Sequence, residues 1–281
     1  MSKLASYWQI IRPINSIMLG LSIVVGALIT GGASVLNEPV YLLLAFITGF
    51  SLTGASMAIN DYFDIEIDKI NEPERPLPSG KMEPREALAI TALLSLTGLI
   101  SSYLVSVTAL LVSFLGWFLM MLYSAWGKKT GFLGNLIVST CIGLPFIYGG
   151  LLSSNILTAF HFSLIAFLSN TGREITKGIV DVEGDKKSGV RTVAVAKGSD
   201  FAAKASALFY LGAVLSSFIP IIRNLVSIWY IPFVSITDIG LIYVAYSLVR
   251  NTSRENARLI KNRVLYLMLI GLIGFATGGL L

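Results

Sequence analysis

The sequence is poor in cysteine, histidine and charge. Among 281 residues there is one cysteine and one histidine, and 13% of the residues are charged. A single cysteine cannot form an intrachain disulfide, and Cys141 lies in an apolar run, where a small core residue is expected. The only histidine, His161, falls near the end of another apolar run. We expect it to be an interfacial side chain rather than a catalytic one.

The scarcity of charge excludes an ordinary soluble domain, which carries about twice this share of charged residues. Hydrophobic residues make up 54% of the chain. Apolar stretches long enough to cross about 30 Å of hydrocarbon recur from end to end. Nine spans are predicted, near 13–33, 40–60, 86–105, 107–126, 132–152, 157–178, 201–221, 228–248 and 263–281. The predicted fold is all-α: a polytopic membrane protein with nine transmembrane helices in one bundle, forming a single domain over residues 1–281.

Lysine and arginine are concentrated in alternate loops. With the N-terminus in the cytoplasm, the inside segments hold 20 of the 21 basic residues, and only Arg223 falls outside. Because cytoplasmic loops are rich in Lys and Arg, this division predicts a cytoplasmic N-terminus and an external C-terminus in the cell membrane. The net charge of +5 then reflects topology and a fit to anionic lipid headgroups, and it gives no reason to expect a nucleic acid partner.

Acidic residues collect at the predicted cytoplasmic ends of two spans. The stretch NDYFDIEIDKINEPERPLPSG at 60–80 places Asn60, Asp64 and Asp68 at i, i+4 and i+8. These positions form one stripe if the helix continues, and like charges in a stripe repel unless a cation holds them together.

The stretch REITKGIVDVEGDKKSGVRT at 173–192 repeats the pattern with Asp181 and Asp185, and Glu174 lies seven residues before Asp181. The repetition suggests a weak internal duplication with the two clusters facing each other.

Oxygen ligands without cysteine or histidine favour a hard cation, Mg²⁺ or Ca²⁺. Two clusters suit two Mg²⁺ ions with a diphosphate between them, because Mg²⁺ commonly combines one or two carboxylates with water and substrate phosphate. Basic residues suited to the outer phosphate oxygens lie nearby: Arg75, Lys128, Arg173, Lys177, Lys186 and Lys187. The alternative is that both segments are solvated loops of mixed charge.

Three motifs resemble those of the UbiA superfamily of intramembrane prenyltransferases. NDYFDIEID at 60–68 fits NDxxDxxxD, and YSAWGK at 123–128 fits YSxxxK. Residues 174–185 fit DxxxxxxDxxxD, with Glu174 in the first position. The nine-span layout is also similar to that of the superfamily.

The resemblance implies a magnesium-dependent transfer of a prenyl group from a prenyl diphosphate to a lipid-soluble acceptor. It implies metal binding by Asn60, Asp64, Asp68, Glu174, Asp181 and Asp185. The residues expected to be catalytic are Asp61, Asp64, Asp68, Tyr123 and Asp181. Diphosphate binding is expected from Arg75, Lys128 and Lys186, and binding of the acceptor from Arg12, Asn15, Arg173 and Lys177.

Within the superfamily, the second stretch looks most like the archaeal ether-lipid branch. The expected reaction then moves a geranylgeranyl group from geranylgeranyl diphosphate to geranylgeranylglyceryl phosphate, with membrane lipids around the protein and no obligate protein partner. An aromatic acceptor of quinone or chlorophyll type is the alternative prenyl transfer. A cation transporter is the alternative of another class, although transporter sites usually lie at the bilayer midplane on broken helices.

Overall fold

The computed structural model describes residues 3–153, 155–187 and 189–280, apart from the side chains of residues 70 and 71. Within these ranges every regular element is helical, which confirms the all-α prediction. The α-helices are α1 Lys3–Ile10, α2 Pro13–Gly31, α3 Pro39–Phe63, α4 Ile65–Asn71, α5 Pro84–Val105, α6 Val107–Ala125, α7 Phe132–Leu152, α8 Ile156–Val180, α9 Val182–Lys187, α10 Val193–Lys197, α11 Ser199–Ile222, α12 Tyr230–Arg250 and α13 Arg254–Leu280. Two 3₁₀ segments cover Gly32–Asn37 and Gly127–Thr130.

The long helices coincide with the predicted spans. In the described part of the chain, eight helices are long and apolar enough to cross a membrane. The exception among the predicted spans is α8, which has 25 residues but carries Asn170, Arg173, Glu174 and Lys177 in its second half. The count of nine spans and the orientation of the termini therefore stay predictions. Helix α13 begins at Arg254, nine residues before the predicted ninth span. Its first turns are too basic to be counted in an apolar span, but they are helical.

The chain divides into two compact units. The first comprises Met1–Val24 and Leu36–Ala125, and in it α3 packs against α5 and α6. Helix α2 approaches α3 closely in this unit, because a Cβ on Gly49 would lie 2.8 Å from Gly20 Cα. Small residues of this kind let helices meet within lipid. A single domain over residues 1–281 stays a prediction.

The second unit comprises Val25–Val35 and Trp126–Leu281. Its core contains the aromatic side chains of Phe162, Tyr230 and Phe275, and the rings of Tyr230 and Phe275 stack with centroids 6.1 Å apart. Polar residues of α8 face this unit rather than lipid. The hydroxyl of Thr176, for example, lies 2.9 Å from the hydroxyl of Tyr210 on α11. Such pairing explains how α8 can bury polar groups.

Candidate active site

The first carboxylate segment comprises residues 60–80. It contains the end of α3, one non-helical residue and α4. Helix α3 ends at Phe63, Asp64 takes φ −95° and ψ 3°, and α4 follows. The amide of Asp64 still donates to the Asn60 carbonyl (3.1 Å), and the amide of Asp68 to the Asp64 carbonyl (2.8 Å). The four-residue spacing is therefore kept across the break. Asn60 Nδ2 also donates to Asp64 Oδ2 over 3.3 Å, so these two side chains lie together.

Two arginines neutralise the buried carboxylates of this segment. Asp61 is 2% exposed and Asp68 is 5% exposed. Arg12 Nη2 lies 2.6 Å from Asp61 Oδ1, while Arg75 Nη1 lies 2.6 Å from Asp68 Oδ2 and 3.4 Å from Asp61 Oδ1. A buried carboxylate is expensive unless it is paired in this way. Both guanidinium groups thus position acids, and their binding of diphosphate or acceptor stays a prediction.

Arg12 also lies at a strained joint between α1 and α2. Its φ is +46°, a left-handed conformation that residues other than glycine rarely adopt. On α1, Lys3 Nζ and Tyr7 OH both bond Glu86 Oε1 in the first turn of α5, at 2.9 Å and 2.7 Å. Helix α1 is therefore fixed at both ends. Asn15, the other predicted acceptor residue near this joint, is exposed in the first turn of α2.

The side-chain oxygen of Asn60 fits a metal ligand. Within the described part of the chain, Asn60 Oδ1 is buried and has no hydrogen-bond partner. A buried polar oxygen without a partner costs about 1–3 kcal/mol, and Mg²⁺ prefers carbonyl and carboxylate oxygens. Asn60 and Asp64 thus have the chemistry that a magnesium site requires.

No three His, Cys, Asp or Glu side chains among the described residues are gathered to hold a metal by themselves. The predicted set of six ligands therefore stays a prediction. Because Mg²⁺ is usually completed by water and substrate phosphate, one or two protein carboxylates per ion are enough.

The second carboxylate segment comprises residues 173–192 and has the same backbone conformation at the end of its long helix. Helix α8 ends at Val180, Asp181 takes φ −103° and ψ 9°, and α9 follows. The amide of Asp181 donates to the Lys177 carbonyl over 3.1 Å, and that of Asp185 to the Asp181 carbonyl over 2.8 Å. Burial, and then the nearby charge of Asp181, raise the pKa of Asp185 to about 6. A bound cation would lower the pKa of Asp185 again, since it stabilises the charged carboxylates.

Glu174 is held by the two cations that flank it. The residue is 6% exposed, and its oxygens lie 3.2 Å from Arg173 Nη1 and 3.0 Å from Lys177 Nζ. Arg173 Nε also donates to the Lys261 carbonyl over 3.3 Å. The predicted acceptor role of Arg173 and Lys177 therefore competes with a role in neutralising Glu174. Lys186 is exposed on α9, as a solvent-facing phosphate ligand would be.

The third motif joins α6 to the following 3₁₀ segment. Tyr123 lies in the last turn of α6 and Lys128 in Gly127–Thr130. Sequence reasoning gave no role to Ser124, whose side chain is 5% exposed. Its Oγ has no hydrogen-bond partner among the described residues. The sequence showed only that Ser124 is a hydroxyl residue within a motif. Its burial became known from the structure.

Residues 19–272 match the UbiA prenyltransferase family, and the chain belongs to that family. Among its relatives is the digeranylgeranylglyceryl phosphate synthase of Methanosphaera stadtmanae, 35% identical over 98% of this chain and 99% of that protein. The enzyme of the same name from Archaeoglobus fulgidus is 37% identical over 98% of this chain and 95% of that protein.

One solved structure agrees with this classification, and a second shows the same fold. A structure described as a digeranylgeranylglyceryl phosphate synthase in membranes superposes with a TM-score of 0.85, at 33% identity over 99% of both chains. A UbiA homolog from Archaeoglobus fulgidus bound to GPP and Mg²⁺ has a TM-score of 0.63 at 15% identity, covering 96% of this chain and 99% of that one. At that identity the second likeness shows the fold alone.

Proposed function

We propose that the protein transfers a geranylgeranyl group from geranylgeranyl diphosphate to the free glycerol hydroxyl of geranylgeranylglyceryl phosphate. The observation that carries this proposal is the similarity, along nearly the whole chain, to synthases named for that product. The glycerol oxygen bonds to C1 of the donor while the C1–O bond breaks with its electron pair passing to the diphosphate. The hydroxyl proton leaves with the diphosphate.

The proposed cofactor is Mg²⁺, as two ions. Asn60 and Asp64 would hold one, and Asp181 and Asp185 the other, where the metal would stabilise negative charge on the diphosphate. Lys128 and Lys186 are proposed to bind the outer phosphate oxygens, and Tyr123 to lie beside them. Buried Asp61 and Asp68, fixed by arginines, position the first motif. Metal ions and lysines held in place beforehand would stabilise the leaving diphosphate without rearrangement.

An acceptor screen tests the proposal. The purified protein is incubated with geranylgeranyl diphosphate, Mg²⁺ and a panel that contains geranylgeranylglyceryl phosphate, 4-hydroxybenzoate and a naphthoate, and the products are identified by mass. We expect only the glycerol ether to be prenylated. Prenylation of an aromatic acid in place of the ether would instead establish the aromatic alternative.

The proposed location is the cell membrane, with the N-terminus and both motifs on the cytoplasmic side. Single cysteines at Glu74 and Glu183, both exposed, should react with an impermeant thiol reagent from the cytoplasmic side alone. A cysteine at the exposed Ser34 should react from the outside alone. Labelling of Glu74→Cys and Ser34→Cys from the same side would contradict this topology.

A further inference from the structure

Thr53 has a buried hydroxyl that its own helix does not satisfy. The residue lies in α3 and is 7% exposed, and Thr53 Oγ1 has no hydrogen-bond partner within the described residues. Nine other helical threonines donate to a carbonyl three or four residues earlier. Those that do so are Thr30, Thr48, Thr91, Thr97, Thr140, Thr171, Thr176, Thr237 and Thr277. The hydroxyl of Thr53 is therefore turned away from the bond that this chain usually makes.

The position of Thr53 connects it to the predicted metal site. It precedes Asn60 by seven residues, which is close to two helical turns, so both side chains lie on one face of α3. The separation along the axis is about 10 Å, from 1.5 Å per residue. Asn60 Oδ1 is in the same state, buried and unpartnered in the described chain. One helix face thus carries two unsatisfied polar atoms, one at the site and one deeper in the membrane.

The proposed reaction brings a polar group of the acceptor to the far side of the donor carbon. A nucleophile reacts from about 3–3.5 Å away, and it approaches C1 from the side opposite the leaving diphosphate. On this geometry the acceptor hydroxyl lies on the far side of C1 from the diphosphate, and Thr53 is a candidate to bind it there. An isoprenoid chain has no atom that could satisfy Thr53, whereas the acceptor glycerol has a hydroxyl next to an ether or ester oxygen.

We propose that Thr53 Oγ1 accepts a hydrogen bond from the glycerol hydroxyl of the acceptor and orients its oxygen toward C1. This inference rests on the proposed function. A threonine hydroxyl has one donor and two acceptor positions, so it can also donate to the neighbouring glycerol oxygen. Thr53 takes no proton in the reaction. It selects an acceptor that carries a hydroxyl on glycerol.

Steady-state kinetics of Thr53→Val and Thr53→Ser test the inference, with Thr48→Val as the matched control. Thr48 lies on the same helix, is 1% exposed and bonds the Leu44 carbonyl at 2.9 Å. We expect Thr53→Val to raise KM for geranylgeranylglyceryl phosphate about tenfold, which is the loss of one hydrogen bond. The donor KM should stay within about twofold. Thr53→Ser and Thr48→Val should behave as wild type.

Thermal unfolding provides a measurement that needs no turnover. Without ligands, Thr53→Val should unfold at the same or a higher temperature than wild type, because it removes an unsatisfied buried hydroxyl. Geranylgeranylglyceryl phosphate alone should raise the unfolding temperature of wild type and Thr48→Val. The same addition should have a smaller effect on Thr53→Val.

Two results would overturn the inference while leaving the proposed function intact. One is wild-type kinetics and acceptor stabilisation in Thr53→Val. The other is an equal rise of both KM values, which would assign Thr53 to the metal site. If the wild-type protein does not prenylate the glycerol ether at all, the proposed function and this inference fail together.

Discussion

The two carboxylate segments share a backbone but differ in how their charges are compensated. Asp64 and Asp181 each end a long helix with nearly the same dihedral angles, and each precedes a short helix. In the first segment, two arginines that lie outside α3 and α4 pair with Asp61 and Asp68. In the second, Glu174 is held by neighbours on its own helix, and Asp185 remains next to Asp181 with a raised pKa. The repeated geometry therefore supports a shared role, whereas the charge partners are particular to each segment.

The largest expected effect follows from removing the shared element. Asp64→Ala and Asp181→Ala should each lower kcat by about 10³-fold or more, because each removes a proposed metal ligand. Glu66→Ala and Glu183→Ala are the controls, since both acids are exposed on the following short helices. Prenyl transfer measured with labelled donor decides the matter. A fully active Asp181→Ala protein would show that the second segment is not equivalent to the first.

The next effect tests the difference in compensation. Arg75→Met should lower the free energy of unfolding by about 3 kcal/mol, because it leaves the buried Asp68 without its partner. Lys177→Met should have a smaller effect, since Glu174 keeps Arg173. Denaturant unfolding in detergent measures both. Lys81→Met is the control, because Lys81 Nζ lies 3.5 Å from a Glu74 side chain that is 93% exposed. An effect of Arg75→Met no larger than that of the control would contradict the structural role.

A moderate effect concerns the repulsion between Asp181 and Asp185. Magnesium without substrate should raise the unfolding temperature of the wild-type protein by several degrees. Asp185→Asn should unfold at a higher temperature than wild type in EDTA, because it removes the repulsion, and it should lose most of the response to magnesium. Calcium and magnesium titrations followed by thermal unfolding measure both quantities. An undiminished magnesium response in Asp185→Asn would remove this residue from the ligand set.

The smallest effect belongs to the exposed pair on α4. Lys69 Nζ lies 2.6 Å from Glu66 Oε1, with both side chains more than half exposed. Lys69→Ala should change the free energy of unfolding by at most about 0.5 kcal/mol. It should leave the KM for the donor and the KM for the acceptor unchanged. A larger loss would show that α4 contributes to the stability of the first segment in its own right.

Much of the architecture could be predicted because lipid imposes long apolar runs. Among the described residues, eight of the nine predicted spans correspond to helices that are long and apolar enough to cross a membrane. Helix α8 differs because its polar residues are paired within the protein, and such pairing depends on tertiary contacts. The four-residue spacing of Asp64 and Asp68 also predicted the local geometry, although not the single non-helical residue at Asp64.

The charge partners could not be predicted. Arg12 reaches Asp61 across 49 positions, and no local pattern indicates that distance. Sequence reasoning assigned Arg12 to an acceptor phosphate because it lies at the predicted cytoplasmic end of the first span, and that role stays a prediction beside its contact with Asp61. Likewise, Thr53 and Ser124 resemble ordinary small helix residues until the structure shows that they are buried and have no hydrogen-bond partner in the described part of the chain.

Helix α13 relates the protein to the thickness of its membrane. Its first ten residues carry Arg254, Arg258, Lys261 and Arg263, so the uncharged portion begins at residue 264. From there to Leu280 the helix is about 26 Å long, slightly less than the roughly 30 Å of an average hydrocarbon core. Arg263 can extend its side chain toward the headgroups, so the part of the helix that the hydrocarbon tolerates is longer than its uncharged portion. The tilt of α13 in the bilayer then depends on its packing against α12 rather than on its length.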